Sequence, residues 1–203
     1  MNDSFIYDFE TLSQNLQIAP ILSVAMMAFD TKRFTSDNPY TAEEIMEKAV
    51  YHKYDSKEQI EKYGRKPQES TVKWWGGQSA EAIQSQVMPK DTDESFTLIP
   101  QHFRENITNS IEHVYTRGNT FDPILLKHVC EQLNQEYPYP WWAERDTRSL
   151  LDGMTWGTDL GNKFDPKGVD SSKLPLHDPR VDIMLDIMRM QTVVRILFLG
   201  EDI

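Results

Sequence analysis

The run "FIYDFETL" at residues 5–12 constrains the fold most. Alternation along a strand sends Phe5, Tyr7 and Phe9 to one face and Ile6, Asp8 and Glu10 to the other. One face is apolar enough for a core, yet the other carries two carboxylates two residues apart. Side chains at i and i+2 of a strand share a face, so these acids repel and raise each other's pKa. Two arrangements remove the conflict: an exposed edge where water solvates both, or a divalent cation that takes both as oxygen ligands. The pair alone leaves both open.

The rest of the chain supplies the elements around that strand. "APILSVAMMAFD", residues 19–30, reads as a second, well-buried strand. Thr41 with Glu44 forms a capping box that opens a short helix. Ser56 is a cap for another inside the basic, polar stretch 49–67. "STVKWWGGQSAEAI" holds two helical turns broken at Gly76-Gly77. Phe103, Ile107 and Ile111 follow helical spacing and lead to a strand near 113–117. "FDPILLKHVCEQLN" and "HDPRVDIMLDIMRMQTVVRILFLG" each place a proline in a first helical turn, and Gly200 follows the last helix. "RDTRSLLDGM" is a further helix, and 157–175 is a long loop. Strands first and helices after predict an α/β domain with a mixed sheet, spanning residues 1–203 as one unit.

Composition narrows the class. With 203 residues, 39% hydrophobic and 26% charged, the chain supports a full core. No apolar run reaches the roughly 18 residues of a membrane span, so no membrane partner is expected. "MNDSFIYDFE" lacks the basic-then-apolar pattern of a signal peptide. Cys130, the single cysteine, excludes a disulfide framework and a multi-cysteine metal site, and reads as core. A net charge of −11 argues against a general duplex binder but not against an enzyme gripping a few nucleotides.

Two later stretches carry acids at helix starts. Asp122 precedes Pro123, where a plain N-cap is the competing reading. In "HDPRVD", Asp178 caps a helix, Asp182 lies one turn inside, and His177 stands on the preceding loop. A ligand on a rigid element beside a proton acceptor on a mobile one suits metal-assisted hydrolysis. The competing reading puts Asp178, Asp182 and Asp186 on one solvated face, and for Asp186 that reading holds.

Taken in order, the stretches resemble the DEDDh group of 3′–5′ exonucleases, which share a ribonuclease H-like fold. D-x-E-T matches Asp8, Glu10 and Thr11; Asn119, Phe121 and Asp122 form the second motif as N-x-F-D; H-x-x-x-x-D matches His177 and Asp182. The match runs over about residues 5–195, with Pro179 a departure where many members have Ala. Thr71, Trp74 and Trp75, with Arg145, Asp146 and Arg148, further resemble the phage exonuclease A type and its bacterial exoribonuclease relatives.

The resemblance implies a mixed central sheet flanked by helices and two Mg²⁺ or Mn²⁺ ions. It implies that Asp8 bridges both ions, Glu10 and Asp182 complete the first site, Asp122 serves the second, and His177 is the general base. The implied substrate is a single strand with a free 3′ end, cut to nucleoside 5′-monophosphates. Phe9, Thr11, Leu12, Trp74, Trp75, Asn119, Phe121, Arg145 and Arg148 fall on the substrate side, although Phe9 reads first as core. Adjacent Trp74 and Trp75 point about 100° apart on a helix, so at most one faces the substrate easily. Trp141 and Trp142 read as packing residues.

The resemblance to the exonuclease A type favours DNA over RNA. A binding protein without catalysis, and an endonuclease of the ribonuclease H type, are the competing functions. A cytoplasmic setting (the host's, if phage-encoded) follows. Several family members dimerise, and no stripe here declares such an interface.

Overall fold

The computed structural model describes residues 1–201. Five strands, β1 (Ser4–Thr11), β2 (Ile21–Phe29), β3 (Val50–Lys53), β4 (His113–Thr116) and β5 (Glu144–Asp146), form one sheet in the order β3-β2-β1-β4-β5. β1, β2 and β3 pair antiparallel, whereas β4 joins β1, and β5 joins β4, in parallel. The sheet is therefore mixed. The helices are α1 (Ala42–Lys48), α2 (Ser56–Tyr63), α3 (Glu69–Trp75), α4 (Ala80–Ala82), α5 (Ile99–Asn106), α6 (Asp122–Gln132), α7 (Thr147–Met154) and α8 (Pro179–Leu199).

The alternation in β1 sorts two cores. Phe5, Tyr7 and Phe9 meet Phe103 of α5 and Leu125, Leu126 and Val129 of α6. On the opposite face Ile6, Ala25, Met27 and Phe29 meet Ile183, Ile187 and Met190 of α8. Because β4 pairs only with Ser4–Ile6, β1 runs on past its neighbour. Asp8 and Glu10 lie on that overhang, opposite Ala25 and Ser23 of β2, and a bulge follows between Glu10 and Thr11. No helix among the described residues is long and apolar enough to cross a membrane.

Several local expectations change. Asp55, not Ser56, caps α2, its side chain accepting the Glu58 N–H. β3 and β5, unread from the sequence, are short edge strands defined by their pairing. α5 stops at Asn106 because Thr108, Asn109 and Ser110 turn the chain, with the Ile111 N–H donated to the Thr108 carbonyl. Ile107 and Ile111 still pack on the core, but from outside the helix. Asp186 is buried rather than solvated: its carboxylate takes Arg117, Arg189 and the Thr147 hydroxyl. Trp141 and Trp142 are 76% and 63% exposed, the reverse of packing residues.

Candidate active site

The overhang of β1, the start of α6 and the first turn of α8 converge. Carboxylate oxygens of Asp8, Glu10 and Asp182 lie within 4.8 Å of one another. Asp182 reaches this point because Asp178 caps α8 by accepting the Arg180 N–H, with Pro179 in the first turn. Asp122 comes from the other side. Beyond the end of β4 the Phe9 N–H has no strand partner, and Asp122 Oδ1 accepts it at 3.1 Å. That bond ties the second acidic stretch to the backbone between the two acids of the first.

The electrostatics of this cluster are unfavourable without a counter-ion. Burial, and then the charges of Asp122, Asp182 and Glu10, push the Asp8 carboxyl well above its usual range. Glu10 rises well above its range for the same reasons, burial first and then Asp182 and Asp122. Burial lifts Asp122 to about 7 although the Phe9 amide opposes it. Burial and Asp186 lift Asp182 to about 6, with Arg189 and Arg117 opposing. Hard oxygen donors at this spacing, each destabilised as an anion by the next, are a donor set suited to a hard divalent cation. Asp8, Glu10 and Asp182 could hold such an ion, with Asp122 beside them.

The acids open into a cavity of about 700 Å³. Phe9, Thr11, Thr71, Trp74, Phe121 and Arg148 line it, as do Arg117, Gly118 and Thr120. The paired tryptophans divide their work. Trp75 is buried and its indole N–H is donated to the Thr11 carbonyl at 2.9 Å, which holds the end of β1. Trp74 is 44% exposed and faces the cavity. His177 stands beside the cavity, not in its lining, its ring edge-on to Trp74 at 4.6 Å. Its backbone is left-handed (φ 64°), and burial lowers its pKa, so the ring is neutral at pH 7.

Other expected substrate residues do not reach this cavity. Leu12, turned inward after the bulge, packs with Leu22, Trp75 and Ala82. Asn119 accepts the Thr116 hydroxyl at 3.3 Å and lines a neighbouring cavity. Arg145 donates to the carbonyls of Trp142 and Glu144. Asp146 caps α7 by accepting the Arg148 N–H and the Ser149 hydroxyl.

Arg117 is the residue that sequence reasoning missed. It lies in the cavity wall, and its guanidinium binds Asp186 at 2.5 Å and Asn162 Oδ1 at 2.7 Å. The signal was its place, two residues before Asn119; nothing in the spacing revealed its partner 69 residues away.

Comparison with known proteins places this geometry in context. Residues 3–176 match the family model described as the 3′–5′ exoribonuclease Rv2179c-like domain. The exodeoxyribonuclease of Enterobacteria phage T4 is 28% identical over 216 residues, covering 98% of this chain and 92% of that protein. Among solved structures, the zinc-bound E. coli exonuclease I–single-stranded DNA complex superposes with a TM-score of 0.65. Identity there is 12%, over 97% of this chain and 41% of that one. The same enzyme with a dA16 oligonucleotide also gives 0.65, at 12% identity over 95% and 41%. This chain thus spans about two fifths of exonuclease I, and the likeness is one of fold.

Proposed function

Because this chain belongs to the 3′–5′ exoribonuclease Rv2179c-like family, within the DEDDh exonuclease superfamily, we propose that it removes nucleotides one at a time from the 3′ end of single-stranded DNA. The observation that carries this is the convergence of Asp8, Glu10 and Asp182, with Asp122 beside them, at an open cavity walled by a half-exposed tryptophan.

Asp8, Glu10, Asp122 and Asp182 would hold two divalent cations. Bound there, the ions supply charge stabilisation for the attacking and leaving oxygens of an in-line displacement at phosphorus. The chain's own residues do the rest. Trp74 offers a face on which a terminal base stacks, with Thr11, Phe121 and Arg148 around it. Stacking contributes roughly 1–3 kcal/mol per base and reads no sequence. His177, neutral near pH 7, accepts the proton of the attacking water through a ring nitrogen. Its contact with Trp74, which lines the cavity, sets the ring at the edge of the site. Arg117 is a positioning residue: by fixing Asp186 it holds the α8 turn that presents Asp182.

DNA is favoured by the phage T4 relative, which is an exodeoxyribonuclease matched over nearly the whole chain. RNA is the second reading, favoured by the description of the matching family. Matched 5′-labelled DNA and RNA oligonucleotides, single-stranded or with 3′ overhangs, distinguish them in Mg²⁺. Our reading expects a ladder that shortens stepwise from the 3′ end of DNA and stops when that end is blocked. Internal cuts on 3′-blocked strands would refute it.

A further inference from the structure

Trp141 and Trp142 are among the most exposed large side chains of the protein, although an indole leaves water more readily than almost any other group. They are nevertheless held in place. Pro140 precedes them, Ala143 is buried after them, and the Arg145 guanidinium donates to the Trp142 carbonyl at 2.7 Å. The two rings meet edge to face at 5.9 Å. The two rings form an exposed aromatic platform just ahead of β5.

Beside it lies a second cavity of about 520 Å³, walled by Trp141, Tyr137, Tyr139 and Ile124, with Lys127 at its margin. Its tyrosine wall is rigid. The Tyr137 hydroxyl lies 2.6 Å from that of Tyr139 and 3.0 Å from Glu144, and the Tyr139 hydroxyl lies 2.6 Å from that of Tyr7. Tyr7 directly precedes Asp8, so the wall is anchored to the strand that carries the first acids.

The two cavities share a partition. Gly118, Thr120, Phe121 and Asp122 face the acids, while Asn119, Pro123 and Ile124 face the tyrosines. A strand whose terminal nucleotide lies beside Trp74 needs to cross only this short segment to reach Trp141. Lys127, Arg145 and Arg148 are exposed in this region of a chain with a net charge of −11. Rigid aromatic faces interleaved with cations are what a single strand requires: stacking for bases and positive charge for phosphates.

We propose that Trp141 and the Tyr137–Tyr139 wall form a second base-stacking subsite. It takes a nucleotide further upstream than the one that flanks the scissile phosphate, on the strand being degraded. This rests on the exonuclease reading above and adds where the strand is gripped away from the chemistry.

The test compares wild type with Trp141→Ala and Trp141→Phe on a dinucleotide and on a single-stranded decanucleotide. Turnover is read in Mg²⁺, and binding of a labelled decanucleotide is read by anisotropy in EDTA. Trp141→Ala should raise KM and Kd for the decanucleotide on the order of 10- to 100-fold, as expected when one stacked base is lost. KM and kcat for the dinucleotide should stay unchanged, and Phe should restore most of the loss. Single abasic replacements along the decanucleotide should weaken wild-type binding at one upstream position and leave Trp141→Ala indifferent there. Equal losses on both substrates, or no loss on the decanucleotide, would overturn the subsite while wild-type cleavage upheld the exonuclease reading. A wild type that degrades neither substrate would overturn both.

Discussion

Replacing Asp122 by Asn should stabilise the metal-free protein while lowering its activity. Asp122 is 3% exposed, and its carboxyl rises from 3.8 to about 7, chiefly through burial. A folded value above the unfolded one means the fold gains stability from protonation. That stability is fully present below pH ~4 and is lost as pH rises through about 7. At pH 8 the ionised carboxylate therefore costs the fold about 4 kcal/mol. Asn keeps the oxygen that accepts the Phe9 N–H and carries no charge. It also removes one of the charges that raise Asp8. Burying the amide costs ~1–2 kcal/mol, leaving a net gain of about 2–3 kcal/mol at pH 8. For a chain of this length that is roughly 4–12 °C in Tm. Between pH 7 and pH 5 the advantage shrinks by about 1.4 kcal/mol per pH unit, so the two proteins should melt together near pH 5. Melting by circular dichroism in EDTA at pH 5 and pH 8 measures this directly. A variant that melts lower than wild type at pH 8, or gains equally at both pH values, would refute the electrostatic argument.

Three further outcomes follow from the same geometry. His177→Asn should lower kcat by roughly 10²-fold or more with little change in Tm, and a variant within tenfold of wild type would remove His177 from the proton transfer. Trp74→Ala, at a half-exposed ring, should raise KM for a single strand by roughly 5- to 100-fold with kcat nearly unchanged in steady-state assays. Gln59 is buried and clamps Ile21 by accepting its N–H and donating to its carbonyl, so Gln59→Ala should cost about 2–4 kcal/mol in urea unfolding; a loss under 1 kcal/mol would contradict that bonding.

What could be read in advance depended on whether the cause was local. β1 and α8 were legible because alternation and a capped, proline-opened turn are properties of neighbouring residues. Asp8, Glu10, Asp122 and Asp182 were picked out through the resemblance of their motifs to the DEDDh group, since their residues alone left other readings open, and the structure brings them together. β3 and β5 were not, because "VYHK" and "ERD" become strands only through Val24 opposite His52 and Tyr115 opposite Arg145. Asp186 misled for the same reason: its helical phase matches Asp182, but its partner Arg117 comes from the far end of β4. Nothing in the sequence joins His52 to His102, yet their rings stack at 3.6 Å and share the Glu94 carboxylate. Trp141 and Trp142 show the converse error, where residue type suggested burial and the fold leaves both rings in water.

The central claim is that Asp8 joins the other acids in holding the ions that the reaction needs. Calorimetric titration of Mn²⁺ into wild type and Asp8→Ala, each with a nucleoside 5′-monophosphate, tests it most directly. The account predicts two ions per wild-type chain. It predicts loss of both high-affinity steps in Asp8→Ala without loss of the folded state, together with less than a tenth of wild-type cleavage. Unaltered Mn²⁺ binding by the variant, or cleavage that persists in EDTA, would contradict it.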